Sequence, residues 1–111
     1  MNVVYLQGRL SSDPVPRELS SGSRLLSLEV STATDAGTAN VPVAWFDPPA
    51  VADWSAGTEV AVRGVVKRRF YRSAAGTQSR TEVVADEVCE LRKRRQAQRV
   101  LERATEALGA S

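Results

Sequence analysis

Three apolar alternations, Leu26–Leu28–Val30, Val41–Val43–Trp45 and Val60–Val62–Val66, constrain this chain most strongly. Each repeats with period two, which puts every second side chain on one face of a strand. Each is short. Between them lie polar, glycine-bearing stretches such as TATDAGTAN (32–40), a turn region, and SAAGTQS (73–79), a turn. Such punctuation points to an all-β core.

The rest of the chain fits around these three runs. Asn2 to Leu10 alternates weakly, with Val4, Leu6 and Leu10 on one parity, so it is a first strand in which Gly8 marks a bulge or bend. SSDPVPRELSSGS (11–23) is rich in Ser, Pro and Gly and is expected to be a loop or hairpin connection. Asp47 before Pro48 predicts a short helix, because an Asp side chain caps free amides and proline lacks only a donor the first turn does not use. Val51 and Trp54 would be its apolar contacts and Gly57 its end. TEVVADEV (81–88) is a fifth strand. From about Glu90 the residues are strong helix formers without proline. Ala97, Leu101, Ala104 and Leu108 give that helix a narrow apolar stripe, and Glu90 and Arg94 stand four apart in the favourable order. Five short strands, a helix between the third and fourth, and a C-terminal helix match the oligonucleotide-binding (OB) barrel. The expected division is an OB-fold domain over 1–91 and a basic helical tail over 92–111.

Charge and composition exclude several chemistries. There is no histidine and only one cysteine, Cys89, so histidine metal sites, His-dependent nucleophilic triads and an internal disulfide are all ruled out. Cys89 is expected to be a small buried or semi-buried residue. Adjacent carboxylates such as Asp86–Glu87 point to opposite faces of a strand and do not make a catalytic pair. The chain is therefore read as a non-enzyme with no cofactor, metal or small-molecule substrate. No segment reaches the ~20 apolar residues a membrane span needs, and a reduced, cytoplasmic protein is expected. The net charge of +2 conceals an asymmetry. Residues 1–91 carry nine Lys/Arg and eleven Asp/Glu, whereas 92–111 carry six Lys/Arg and two Glu.

The densest cation run on the domain is RGVVKRRFYR (63–72). Parity divides it. Val60, Val62, Gly64 and Val66 face inward; Arg63, Lys67, Arg69 and Tyr71 face outward, about 7 Å apart at successive positions of one face. Lys67 and Arg69 are placed to meet phosphates and Tyr71 to stack on a base. The alternative is an edge strand charged against aggregation. Phe70 takes the inner parity and is expected in the core. Arg68 and Arg72 share that parity near the point where the strand leaves the barrel, and Arg72 is counted with the phosphate contacts. Phe46 shares the outward parity of Asn40, Pro42 and Ala44 and is read as a second stacking platform, the alternative being a place under the short helix. Trp45 and Trp54 are read as core. RKRR (Arg92, Lys93, Arg94, Arg95) adds four cations, for phosphates or simply for a solvated helix surface.

GRLSSDPVPRELSSG (8–22), VAWF (43–46), GTEVAVRGVVKRR (57–69) and RTEVVADEV (80–88) fall in one order, about one per strand. Together they resemble the bacterial single-stranded DNA-binding protein family over about residues 2–91. The resemblance implies an OB-fold that grips single strands with little sequence preference in replication, recombination or repair. It also implies a homo-oligomer, tetramer or dimer, with first strands pairing between subunits through Asn2, Val3, Val4, Tyr5 and Leu6. Of the family's four stacking positions, Phe46 and Tyr71 fill two; the turn aromatic has no counterpart and Asn40 stands at the fourth. The sequence ends ERATEALGAS in place of an acidic, aromatic tip, which marks a short, divergent member.

Single-stranded DNA is thus the expected partner, with no membrane. The rival reading is an interaction or assembly module on the same fold, a replication accessory protein with weak or no DNA binding. Its tail stripe would pair subunits; the same stripe could equally pack on the barrel. RNA is a further possibility, since stacking and phosphate contacts serve both nucleic acids.

Overall fold

The computed structural model describes residues 1–49 and 53–109. Its strands are β1 (Val4–Leu10), β2 (Val15–Glu18), β3 (Arg24–Thr34), β4 (Gly37–Phe46), β5 (Glu59–Ser73) and β6 (Gly76–Glu90), followed by helix α1 (Arg94–Gly109). The order across the sheet is β1-β5-β6-β4-β3-β2, and β1 also pairs with β3. That last pairing closes β1, β5, β6, β4 and β3 into a five-stranded barrel, in agreement with the OB architecture. The closing contacts are Arg9↔Ser31 and Leu10↔Val30 on one side and the parallel pair Val43↔Val83, Ala44↔Val84 on the other.

The expected inward parities of β3, β4 and early β5 are all present. Leu26, Leu28, Val30, Val43, Trp45, Val60 and Val62 fill the barrel with Leu10, Val83, Ala85 and Val88. Trp54 stacks on Trp45, with ring centroids 5.9 Å apart, and donates to Glu90 Oε1 at 3.2 Å. Gly8 marks a close strand crossing: a Cβ there would lie 2.2 Å from the carbonyl oxygen of Ser31.

The structure corrects several expectations. Segment 11–23 is not all loop. β1 and β2 lie end to end along one edge of β3, and β2 pairs from Val15↔Ser27 to Glu18↔Arg24. The strands also run on to tight hairpins. Thr34 pairs with Gly37 and Ser73 with Gly76, and both turns share one chemistry. The Thr34 and Ser73 hydroxyls each accept from the amide two residues on and donate to the carbonyl three residues on. Gly37 and Gly76 take the positive φ angles, 126° and 103°, that let each strand restart.

No helix follows β4 among the described residues, and Val51, one of its expected contacts, lies outside them. Asp47 is used otherwise. Its amide donates to Arg24 O at 2.7 Å, and its carboxylate accepts from Arg24 N at 2.9 Å. It thus prolongs the β3–β4 ladder, at φ 48°, a left-handed conformation that Asp tolerates better than most residues.

α1 begins at Arg94, so Glu90 belongs to β6 and pairs with Arg92, not Arg94. The helix docks through Ala97, Val100 and Ala104 onto Ala61 and Cys89, with Tyr5 and Leu91 at the margin. Leu101 and Leu108, two of the four residues of the expected apolar stripe, are exposed in the single chain. Cys89 is buried as expected, and burial pushes its thiol pKa up.

β6 carries a bulge. Arg63 pairs with Glu87 but Gly64 pairs with Ala85, which leaves Asp86 without an opposite residue. The bulge switches the inward parity of β6 from Val83 and Ala85 to Val88. It also overturns the expectation that Asp86 and Glu87 diverge, because both reach Arg63, at 3.2 and 2.8 Å. Arg103 of α1 takes Glu87 from the helix side, its Nε donating to Oε2 at 2.9 Å. Glu87 therefore ties the helix to the barrel, and its two arginines, Arg103 foremost, hold its carboxyl below the usual carboxylate range.

Candidate nucleic-acid interface

β5 and β6 outrun the barrel. β6 meets β4 only at Val83 and Val84, and β1 leaves β5 near Gly64, so Lys67–Ser73 and Gly76–Thr81 form a two-stranded arm. Side chains opposite one another in a ladder share a face. On one face of the arm the register places Lys67 opposite Glu82, Arg69 opposite Arg80 and Tyr71 opposite Gln78.

Electrostatics organises that face. Glu82 is buried, and a buried carboxylate is costly unless paired. Arg69 pairs with it, Nε donating to Oε2 at 2.6 Å and Nη2 to Oε1 at 3.4 Å. This hydrogen bond is the main reason the Arg69 pKa is raised. Arg80 stands 3.9 Å from the same carboxylate and donates to Glu29 of β3 at 2.6 Å. The Arg69 guanidinium carbon then lies 5.8 Å from the centroid of the Tyr71 ring, a cation–π distance.

The arm face looks across at β2 and the bend before it. Between them runs a groove of about 490 Å³, lined on the arm by Arg69, Tyr71, Arg72 and Arg80 and across from it by Asp13, Val15, Arg17 and Glu29. Asp13 accepts from Ala56 N at 2.8 Å, which holds the bend in place. Arg17, Lys67 and Arg72 are in no ion pair among the described residues and remain available to an anion. Tyr71 is 40% exposed. The groove thus has cations on both walls and one exposed ring on the arm wall.

The other expected site residues are scattered. Arg63 lies on the same strand face but is held by Asp86 and Glu87. Phe46 is half-buried on the outer face, opposite Leu25. The row Phe46–Leu25–Arg17 runs across β4, β3 and β2, so Phe46 stands two strands, roughly 10 Å, from the Arg17 wall of the groove. Arg92 pairs with Glu90, while Lys93, Arg94 and Arg95 are exposed where α1 begins. Val60, opposite Glu90, is eleven residues from Tyr71, roughly 37 Å of strand, so RKRR and the groove are separate basic regions.

The first-strand residues are used within the chain. Asn2 exchanges two hydrogen bonds with the Val66 backbone, at 2.7 and 2.8 Å. Val4 and Leu6 pack on the barrel core, Tyr5 packs beside α1, and Val3 is half-buried.

Three residues escaped the sequence reading. Arg17 sits on β2, inside a segment expected to be a loop or hairpin connection. Arg80 enters the groove through the register that the tight 73–76 turn sets. Phe70, expected in the core, is 67% exposed, and Val66 on the same face is 44% exposed. Both lie beyond the barrel's interior, so inward parity no longer means burial. No family model matches the chain, and no curated protein matches it either.

Proposed function

We propose that this protein binds single-stranded DNA without strong sequence preference, as a divergent relative of the bacterial single-stranded DNA-binding proteins. The observation that carries the reading is the groove: Arg17, Arg69, Arg72 and Arg80 line it together with Tyr71, and one guanidinium, that of Arg69, is at cation–π distance from the ring. Cations that track a backbone beside a ring that stacks any base are the recurring means of gripping single strands. Phe46, two strands across from Arg17, offers a second stacking place for a strand that leaves the groove over β4.

The rival is an assembly module on the same barrel. Asp13, Glu29 and Glu82 favour it, because they offset part of the groove's positive charge. Titration of labelled oligo-dT separates the two. Binding through Arg17 and Arg72 of the groove and Lys67 beside it on the same arm face releases about three counterions, which gives a slope of about −2 in log K against log salt. No binding at low salt favours the assembly module.

A further inference from the structure

The arm has a second face, and its chemistry differs from the groove's. Val66, Arg68, Phe70 and Arg72 share it on β5. Opposite the last three, on β6, stand Thr81, Ser79 and Thr77. There is no carboxylate among these cross-strand partners, whereas the groove face has Glu82. Arg68 and Arg72 are in no ion pair among the described residues. Between them stands Phe70, the most exposed aromatic of the chain at 67%.

A protective charged edge does not account for this ring. Lysines and arginines discourage edge-to-edge pairing, but an exposed Phe on a projecting strand encourages association. A ring between two uncompensated guanidiniums suits a ligand that is anionic and aromatic at once. We propose that this rear face is a second stacking site for single-stranded nucleic acid, with Phe70 as platform and Arg68 and Arg72 on the phosphates. It rests on the reading of the groove given above.

Arg72 joins the two sites. Its register puts it on the Phe70 face, yet it also lines the groove beside Tyr71. The arm ends in Ala74, Ala75 and Gly76, which raise no steric wall. One strand can therefore leave the groove at Tyr71, pass Arg72 and continue onto Phe70.

The test is fluorescence anisotropy at low salt with labelled dT6 and dT20, on wild type, Phe70→Ser, Arg68→Gln and Tyr71→Ala, with circular dichroism to confirm folding. Phe70→Ser should weaken dT20 binding about tenfold and dT6 binding far less, because only the longer strand spans both faces. Arg68→Gln should weaken dT20 binding in the same pattern. Equal wild-type and Phe70→Ser affinities for dT20, with Tyr71→Ala weakened, overturn the rear site and leave the groove reading standing. Loss of binding to neither length, with reduced self-association of Phe70→Ser in sedimentation, assigns the face to a second copy and also overturns it. If wild type binds neither oligonucleotide, both readings fall together.

Discussion

Arg69 links a buried charge to an exposed ring: its Nε donates to Glu82 Oε2 at 2.6 Å, and its guanidinium carbon lies 5.8 Å from the centre of Tyr71. The pairing has two consequences with opposite signs. It fixes Arg69 beside Tyr71, and it withdraws one cation from any phosphate.

The two partners are therefore not equivalent. Arg69→Ala leaves buried Glu82 without its close partner, Arg80 standing 3.9 Å away and Lys67 opposite it in the ladder, and we expect a loss of about 2–3 kcal/mol in urea unfolding. Glu82→Gln leaves Arg69 partly solvated and free. It should cost less stability and steepen the oligo-dT salt slope by about 0.7, one further counterion on a single strand. Equal destabilisation by the two substitutions contradicts this account.

The tie between α1 and the barrel depends on pH. Glu87 has a folded pKa below its unfolded value, so its stabilisation is full above the unfolded carboxylate range. It is lost as pH falls through the lower folded pKa. Between pH 7 and 3, wild type should lose about 3–5 °C of Tm more than Glu87→Gln, which lacks the titrating group. Parallel Tm curves for the two proteins would show that the tie contributes nothing.

Gly64 tests the bulge. A Cβ at this position would lie 2.2 Å from Val84 O, backbone that cannot move aside cheaply. Gly64→Ala should destabilise by about 2 kcal/mol, read as a lower urea midpoint with an unchanged slope. An unchanged midpoint would show that β5 and β6 separate there at no cost.

Much of the barrel was legible in the residues, and the reasons for the exceptions differ. Period-two runs at Leu26–Val30 and Val41–Trp45 identified inward faces because both strands are covered along that length. Val66 and Phe70 continue the same parity, but the strand has by then left the barrel. No local pattern says where a barrel ends. The β6 bulge did leave a trace, since apolar residues switch from positions 83 and 85 to 88. Asp47 misled because Asp-Pro suits a helix start as well as a residue folded back on Arg24. The helix chose Val100 over Leu101 because its docking surface, Ala61 and Cys89, is small and set by tertiary packing.

The tryptophans sharpen the functional test. Trp45 lies in the barrel core with Trp54 stacked on it, and neither ring lines the groove. Oligo-dT should leave intrinsic tryptophan emission of the wild type nearly unchanged. Tyr71→Trp should add an emission component that oligo-dT quenches. Strong quenching of the wild type would move the binding face to the Trp45–Trp54 side.

The most direct measurement is the affinity of wild type and Tyr71→Ala for dT6, too short to reach the rear face, at low salt and at a salt concentration tenfold higher. The groove account predicts that wild type binds at low salt and weakens about a hundredfold at high salt, the slope of about −2 expected for three released counterions. It predicts that Tyr71→Ala binds about tenfold more weakly at both concentrations with the same slope, because a ring is lost and no cation is. Equal affinities of the two proteins, or no wild-type binding at low salt, would contradict it.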